Sequence, residues 1–337
     1  MQAYRVYPGR HPEAIELFER DLPPPAAHEV RVKVRAVSLN YRDLMVTRGS
    51  YPVGSDKPLV PTSDGAGEVV AVGAAVTRFR PGDRVISSFF PHWIDGQPTR
   101  AKTSGALGAE ADGMLAQEVL LPEDALSAMP AHLSFAEAAT LPCAGVTAWN
   151  SLFVEGALKP GDSVLMLGTG GVSIWALQLA KAAGLRTIIT SSSAAKLERA
   201  RALGASATIN YVEQPEWQEE VLRQTGGEGV NLVLEVGGQG TLARSMAATR
   251  MGGSIAIIGG VSGFGGEFNP FALITGAKHL SGIFVGSRSM AEDLVRFVEI
   301  HAIHPVVDKL FPFEQAVAAY AYLEAAGHFG KVVITLD

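Results

Sequence analysis

Ser163-Val164-Leu165-Met166-Leu167-Gly168-Thr169-Gly170-Gly171-Val172-Ser173 is the stretch whose reading decides the fold. Its first five residues are the short apolar run of a strand buried on both faces. The glycines then make a turn in which few side chains stand between the backbone and a ligand. The apolar residues from Ile174 to Ala183, stopped by Gly184, read as a helix. Strand, glycine-rich turn and helix in that order form a phosphate-binding βα unit. Backbone N–H groups and the positive end of the helix dipole approach a pyrophosphate there. Gly168, Thr169, Gly170, Gly171 and Val172 are therefore cofactor-binding candidates, with Ser173 replacing the third glycine of the dinucleotide fingerprint.

Further apolar runs at 187–190, 208–209, 230–235 and 254–258 are each followed by a helix-like or loop segment. Such alternation predicts an α/β fold with a doubly wound parallel sheet, a Rossmann domain. Upstream, Val30-Arg31-Val32-Lys33-Val34-Arg35-Ala36 alternates apolar and charged residues, the pattern of a strand with one wet face. Pro81-Gly82-Asp83-Arg84-Val85 marks a turn into another strand, so this half reads as a small irregular barrel. Alternation stops near Phe284. Helices are expected at 290–300 and 313–325 and a closing strand at 331–336, with this last part returning to the first domain. The domain assignment is 1–129 with 288–337 for one domain and 130–287 for the Rossmann domain.

The chain has 337 residues, 47% of them hydrophobic, which suits two cores rather than one. A formal net charge of −6, with both signs interspersed, leaves no basic stripe for nucleic acid or an anionic membrane. A single cysteine, Cys143, excludes an intrachain disulfide and any zinc site of several thiolates. The N-terminus lacks a signal-peptide pattern, and no apolar run reads as a membrane span; a cytoplasmic protein is expected.

The choice of cofactor is read at the end of the second Rossmann strand, where enzymes using NAD place an acidic residue on the ribose. Here that strand ends in Ser191, Ser192 and Ser193, with Lys196 following. A carboxylate there would repel a 2′-phosphate by about 4 kcal/mol at about 4 Å and an effective dielectric of about 20. Hydroxyls and an ammonium would accept it, which points to NADP(H). The same residues also suit a plainer reading, with Ser193 capping a helix and Lys196 in solvent.

Five ordered motifs resemble one family: Asn40-Tyr41-Arg42-Asp43-Leu44, Asp64-Gly65-Ala66-Gly67-Glu68-Val69, the Pro-Gly turn at 81–85, Ala139-Thr140-Leu141-Pro142-Cys143-Ala144-Gly145-Val146-Thr147-Ala148-Trp149, and Phe329-Gly330-Lys331-Val332-Val333. Together they are similar to the medium-chain dehydrogenase/reductase superfamily, near its zinc-free quinone oxidoreductase branch. The resemblance implies a GroES-like β-barrel catalytic domain beside the Rossmann domain. It also implies that Thr147, Gly259 and Gly260 lie near the nicotinamide, Lys196 and Tyr211 near the 2′-phosphate, and Lys331 near the pyrophosphate. Tyr211 is equally readable as a packed ring with a wet hydroxyl. Phe284 completes the cofactor-binding set. A homodimer paired through Rossmann edge strands is implied as well.

Zinc-dependent members of that family hold the metal with a cysteine, a histidine and a second cysteine. At the matching positions this chain has Asn40, the Ser63-Asp64 pair and Cys143. One thiol does not make a catalytic zinc site, and residues 89–113 lack the four cysteines of a structural one. No metal is expected. Without a Lewis acid, alcohol oxidation is disfavoured and reduction of an activated acceptor is easier. The expected activity is hydride transfer from NADPH to a quinone or an α,β-unsaturated carbonyl, with Asn40, Asp43 and Asp64 as catalytic candidates. A zinc-type alcohol dehydrogenase and a non-catalytic NADPH-binding protein stand as alternatives.

Overall fold

In the computed structural model, residues 1–11, 14–54, 57–265 and 270–336 are described. The chain divides into two compact units, Thr147–Phe284 and Met1–Val146 with Val285–Asp337.

The unit Thr147–Phe284 is built on a six-stranded parallel sheet. Its strands are β1 (Ser163–Met166), β2 (Arg186–Ser191), β3 (Ala207–Asn210), β4 (Val230–Glu235), β5 (Thr249–Ile257) and β6 (His279–Gly282), in the spatial order β3-β2-β1-β4-β5-β6. This is the doubly wound order, which reverses direction beside the first strand and leaves a crevice at the carboxyl edge there. β1 is buried along its whole length, as its unbroken apolar run predicts. The helix Gly171–Ala182 follows it and buries Ile174, Trp175, Leu177 and Leu179. That helix ends where Gly184 takes φ +74°, allowing the Gly184 and Leu185 N–H groups to reach the carbonyls of Lys181 and Ala180. Leu165, Ile188, Val233 and Ile255 from four of the strands share a core with Trp217 and Val221 of the helix Trp217–Gln224. Each such side chain contributes about 1.5–3 kcal/mol relative to its exposed state. β6, the edge strand His279-Leu280-Ser281-Gly282, was not among the expected runs.

The other unit is organised around the ten-residue strand Glu29–Ser38, whose alternate residues Val30, Val32 and Val34 are buried. Asp64–Val72 pairs with it on one side and Lys331–Thr335 on the other, both antiparallel. Val307–Pro312 extends the sheet beyond Lys331–Thr335, while Arg84–Ser87 and Leu126–Ala128 extend it beyond Asp64–Val72. Glu118–Pro122 pairs with Glu29–Lys33 at the other end of the long strand. Gln2–Val6 and Ile15–Glu19 form a separate antiparallel pair. Residues 130–146 belong to this unit, as do the helices Arg288–Ile300 and Ala316–Glu324. Among the described residues, no helix is long and apolar enough to cross a membrane.

Candidate active site

Three neighbouring strands deliver the candidate catalytic residues to one place. Ser38 is flanked by Val333 on one side and Asp64 on the other, so the end of Glu29–Ser38 lies beside the starts of Lys331–Thr335 and Asp64–Val72. Asn40, two residues past that strand, therefore meets Lys331 across 291 positions of sequence. The Lys331 ammonium is only 3% exposed and donates to the carbonyl of Leu39 and to Asn40 Oδ1, each at 2.5 Å. An ammonium has no lone pair to offer, so the Asn40 carboxamide must turn its oxygen toward it. Asn40 Nδ2, with two N–H donors, then turns away from Lys331; it is buried, lies close enough to the Asp64 carboxyl to draw it down, and among the described residues makes no well-aligned hydrogen bond.

Asn40 also caps the helix Tyr41–Thr47, its backbone N–H donating to Asp43 Oδ2 at 2.8 Å. Asp43 is 2% exposed, and burial pushes its carboxyl up to about 6. The neighbouring Arg42 guanidinium, the Asn40 N–H and Lys331 pull it down, while Asp64 pushes it further up. Arg42 Nε lies 3.4 Å from Asp43 Oδ1 without the alignment of a hydrogen bond, and neither atom has another partner among the described residues. Arg42 is held by a 2.8 Å bond to the Leu107 carbonyl and by the rings of Phe89 and Tyr51. Of the two nearby tyrosines, Tyr41 is exposed, whereas Tyr51 faces Arg42 and its hydroxyl is raised, chiefly by burial.

Asp64 accepts the Ser63 hydroxyl at 2.7 Å and the Cys143 N–H at 3.1 Å. Burial raises its carboxyl, against the opposing pull of Lys331, Ser63, Asn40 and the Cys143 N–H. The Cys143 thiol is pushed up to about 12, first by burial and then by the Asp64 charge. Thr62, just ahead of this pair, sits at φ 69°, a left-handed conformation that costs a β-branched residue about 1–2 kcal/mol. The loop packs too tightly to relax. A Cβ on Gly113 would come within 1.9 Å of the Thr62 carbonyl oxygen. Strain of this kind concentrates at functional sites.

The other unit holds its candidates along the carboxyl edge of its sheet. Gly168 takes φ +70°, and a Cβ on Gly168 or Gly170 would meet nothing within 4 Å. No side chain caps the helix that begins at Gly171, so its N-terminus is a cradle shaped for an anion. The Ser173 hydroxyl donates to the Leu167 carbonyl at 2.8 Å and is committed to holding the turn. Thr169 and Ser191 are buried, and Ser192 is exposed. Ser193 caps the helix Ala194–Ala202, accepting the Lys196 N–H at 3.4 Å. Tyr211 follows β3, beside the end of β2, with its N–H on the Ser191 carbonyl and its ring 41% exposed. Gly259 and Gly260 follow β5, where the Gly259 N–H reaches the Glu235 carbonyl. Thr147 is buried at the start of this unit, and Phe284 is exposed at its end. Lys331 alone of the cofactor-binding candidates lies in the first unit, against Asn40.

Sequence reasoning passed over two groups here. Tyr320, whose hydroxyl is buried without a partner among the described residues and raised well above its usual value, chiefly by burial and then by Asp43, is an unmarked residue of an apolar helix. Glu235 was read only as the end of a strand. It is fully buried and accepts from the N–H groups of Gly237 and Gly238 and from the hydroxyls of Thr241 and Ser245.

Residues 26–131 match the alcohol dehydrogenase GroES-like domain, and residues 171–299 match the zinc-binding dehydrogenase domain. A zinc-type alcohol dehydrogenase-like protein of Schizosaccharomyces pombe is 49% identical, over 92% of this chain and 91% of its own. The chain belongs to the medium-chain dehydrogenase/reductase superfamily. Two solved structures of that superfamily's fold extend the comparison. An NAD-dependent alcohol dehydrogenase is 36% identical with a TM-score of 0.92, covering 100% of both chains. The quinone oxidoreductase of Escherichia coli, complexed with NADPH, is 25% identical with a TM-score of 0.85, again over 100% of both. As a medium-chain dehydrogenase/reductase, the protein is an oxidoreductase with a GroES-like domain and a Rossmann domain.

Proposed function

We propose that this oxidoreductase is a zinc-independent reductase that uses NADPH to reduce a quinone or an α,β-unsaturated carbonyl. The observation that carries the reading is the Asn40–Lys331 pair: a buried ammonium fixes a carboxamide with Nδ2 turned away from it, so that beside the N–H drawn to Asp64 a second N–H is on offer. That arrangement suits a carbonyl oxygen. The same residues do not fit zinc. Among the described residues no three His, Cys, Asp or Glu side chains are placed to hold a metal ion. Asp64 already accepts two hydrogen bonds, Cys143 is held as the neutral thiol, and Lys331 adds a positive charge beside them.

When bound, the nicotinamide supplies the hydride. Gly168, Thr169, Gly170, Gly171 and Val172 would hold the pyrophosphate. Ser191, Ser192, Ser193, Lys196 and Tyr211 would take the 2′-phosphate, and Thr147, Gly259, Gly260 and Phe284 would face the nicotinamide ring. No carboxylate stands between Thr190 and Lys196, which favours the phosphorylated cofactor. Asn40 donates to the acceptor oxygen and stabilises the negative charge that develops there. Asp43 and Asp64 are positioning residues. Asp43 holds the Asn40 backbone, and Asp64 offsets the charge of Lys331 while tying down the Cys143 segment.

The test is loss of NADPH absorbance by chelator-treated protein with quinones, enals and enones, run beside NADH. Turnover that prefers NADPH and ignores added zinc is the expected result. Activity restored only by zinc, or alcohol oxidation with NAD, would return the protein to the chemistry its alcohol dehydrogenase relatives are named for.

A further inference from the structure

We infer that Lys331 is a positioning residue for the acceptor, acting through Asn40 by locking its carboxamide with Nδ2 outward, and takes no part in binding the cofactor. The inference rests on the reading of Asn40 given above.

A carboxamide has two orientations differing by a half-turn, and in most sites its neighbours hold it weakly in one of them. Here both bonds of Lys331 converge on the Leu39-Asn40 pair, on the Leu39 carbonyl and on Asn40 Oδ1. Those two bonds take two of the three donors of the ammonium and tie it to its own unit. Its surroundings keep it there. Lys331 starts a strand whose partner is the strand ending at Ser38, and its own N–H is bonded to the Val306 carbonyl. The Asp64 carboxylate lies close enough to feel its charge, which places an anion beside it in the buried site. Rotating Asn40 by a half-turn would set its N–H groups against the ammonium and leave a buried cation short of an acceptor. The flipped state is therefore closed, and a carbonyl arriving at Asn40 meets Nδ2 already turned away from the ammonium, one N–H drawn to Asp64 and the other left to donate.

The experiment uses the intact protein with Lys331→Met, Lys331→Arg, Asn40→Ala and the double variant Asn40→Ala/Lys331→Met, each first shown to be folded by thermal melting. Two binding constants are measured alongside kcat and KM: that of NADPH, by quenching of tryptophan fluorescence, and that of a non-reducible ketone such as cyclohexanone on the NADP-loaded protein, by calorimetry. Lys331→Met should weaken the ketone by about tenfold and lower kcat/KM with the enone by at least as much, leaving the NADPH constant within about twofold. Lys331→Arg, which keeps a buried donor, should recover part of the loss. Because Lys331 acts through Asn40, the double variant should be no worse than Asn40→Ala. Weakened NADPH binding in Lys331→Met, or additive losses in the double variant, overturns the inference while leaving the proposed function intact. A wild-type protein that binds NADPH but neither binds the ketone nor reduces any enone or quinone overturns both.

Discussion

Glu235 and Asp43 are carboxylates shut away from water in different units of the same chain, and they are housed in opposite ways. Glu235 ends β4 and receives four hydrogen bonds that wrap the following loop around it. Asp43 receives the Asn40 N–H on one oxygen and nothing well aligned on the other, with Arg42, Asp64, Lys331 and the Tyr320 hydroxyl around it. A satisfied buried charge is a construction element. A group of buried charges with Arg42 Nε, Asp43 Oδ1 and Tyr320 Oη unpartnered among the described residues, and Asn40 Nδ2 without a well-aligned bond, keeps hydrogen-bonding capacity in reserve, and a protein retains that cost where something else comes to use it.

The contrast makes predictions that separate stability from activity. The largest concerns Glu235. Glu235→Ala strands four donors and should cost about 3–5 kcal/mol in urea unfolding; a loss below about 1 kcal/mol would mean that the loop is held by other contacts. Asp43 should behave in the reverse sense. Its folded value of about 6 lies above the ordinary 3.8, so the folded state binds the proton more tightly than the unfolded state. The stability it contributes is fully present below about pH 4 and is lost as pH rises through about 6, up to about 3 kcal/mol. Asp43→Asn should remove that component, so that the change in stability between pH 4 and 7 differs from the wild type by this amount. Equal pH profiles for the two proteins would place the carboxyl back in its ordinary range.

Asn40→Ala sharpens the comparison from the side of activity: kcat/KM with an enone should fall by about a hundredfold while the melting temperature shifts by a few degrees at most. Full activity in this variant would remove Asn40 from the mechanism. The smallest effect is that of Gly168→Ala, which forces a side chain onto φ +70° and should cost about 1–2 kcal/mol. Because a Cβ there meets no protein atom, a weakened NADPH constant would be felt at the ligand itself.

The nucleotide-binding unit was the more legible of the two because its signals are local. The run Ser163–Met166, the glycines after it and Gly184 at the helix end each act within a few residues of themselves, and strand alternation repeats the signal down the chain. β6 escaped notice because His279-Leu280-Ser281-Gly282 is short, half exposed at the sheet edge, and carries no apolar run. The strands Gln2–Val6 and Ile15–Glu19 escaped for a similar reason, the second burying none of its five residues fully. At the candidate site the sequence marks Asn40, Asp43 and Asp64 by their motifs. It is silent on Lys331 reaching Asn40, because only the pairing of Ser38 with Val333 brings the two together. Arg42 and Tyr320 are hidden in the same way, the one inside a motif read for its neighbours and the other in a helix read as apolar.

That pairing also sets a schedule. A ribosome that has made Asn40 must add 291 more residues before Lys331 exists. Until then the strand Glu29–Ser38 lacks its neighbour on one side, the Asn40 oxygen lacks the ammonium, and Asp64 lacks the counter-charge of Lys331. On the proposed reading, a growing chain in which only the earlier strands had folded could not yet orient an acceptor, so competence at the site would arrive with the late strand.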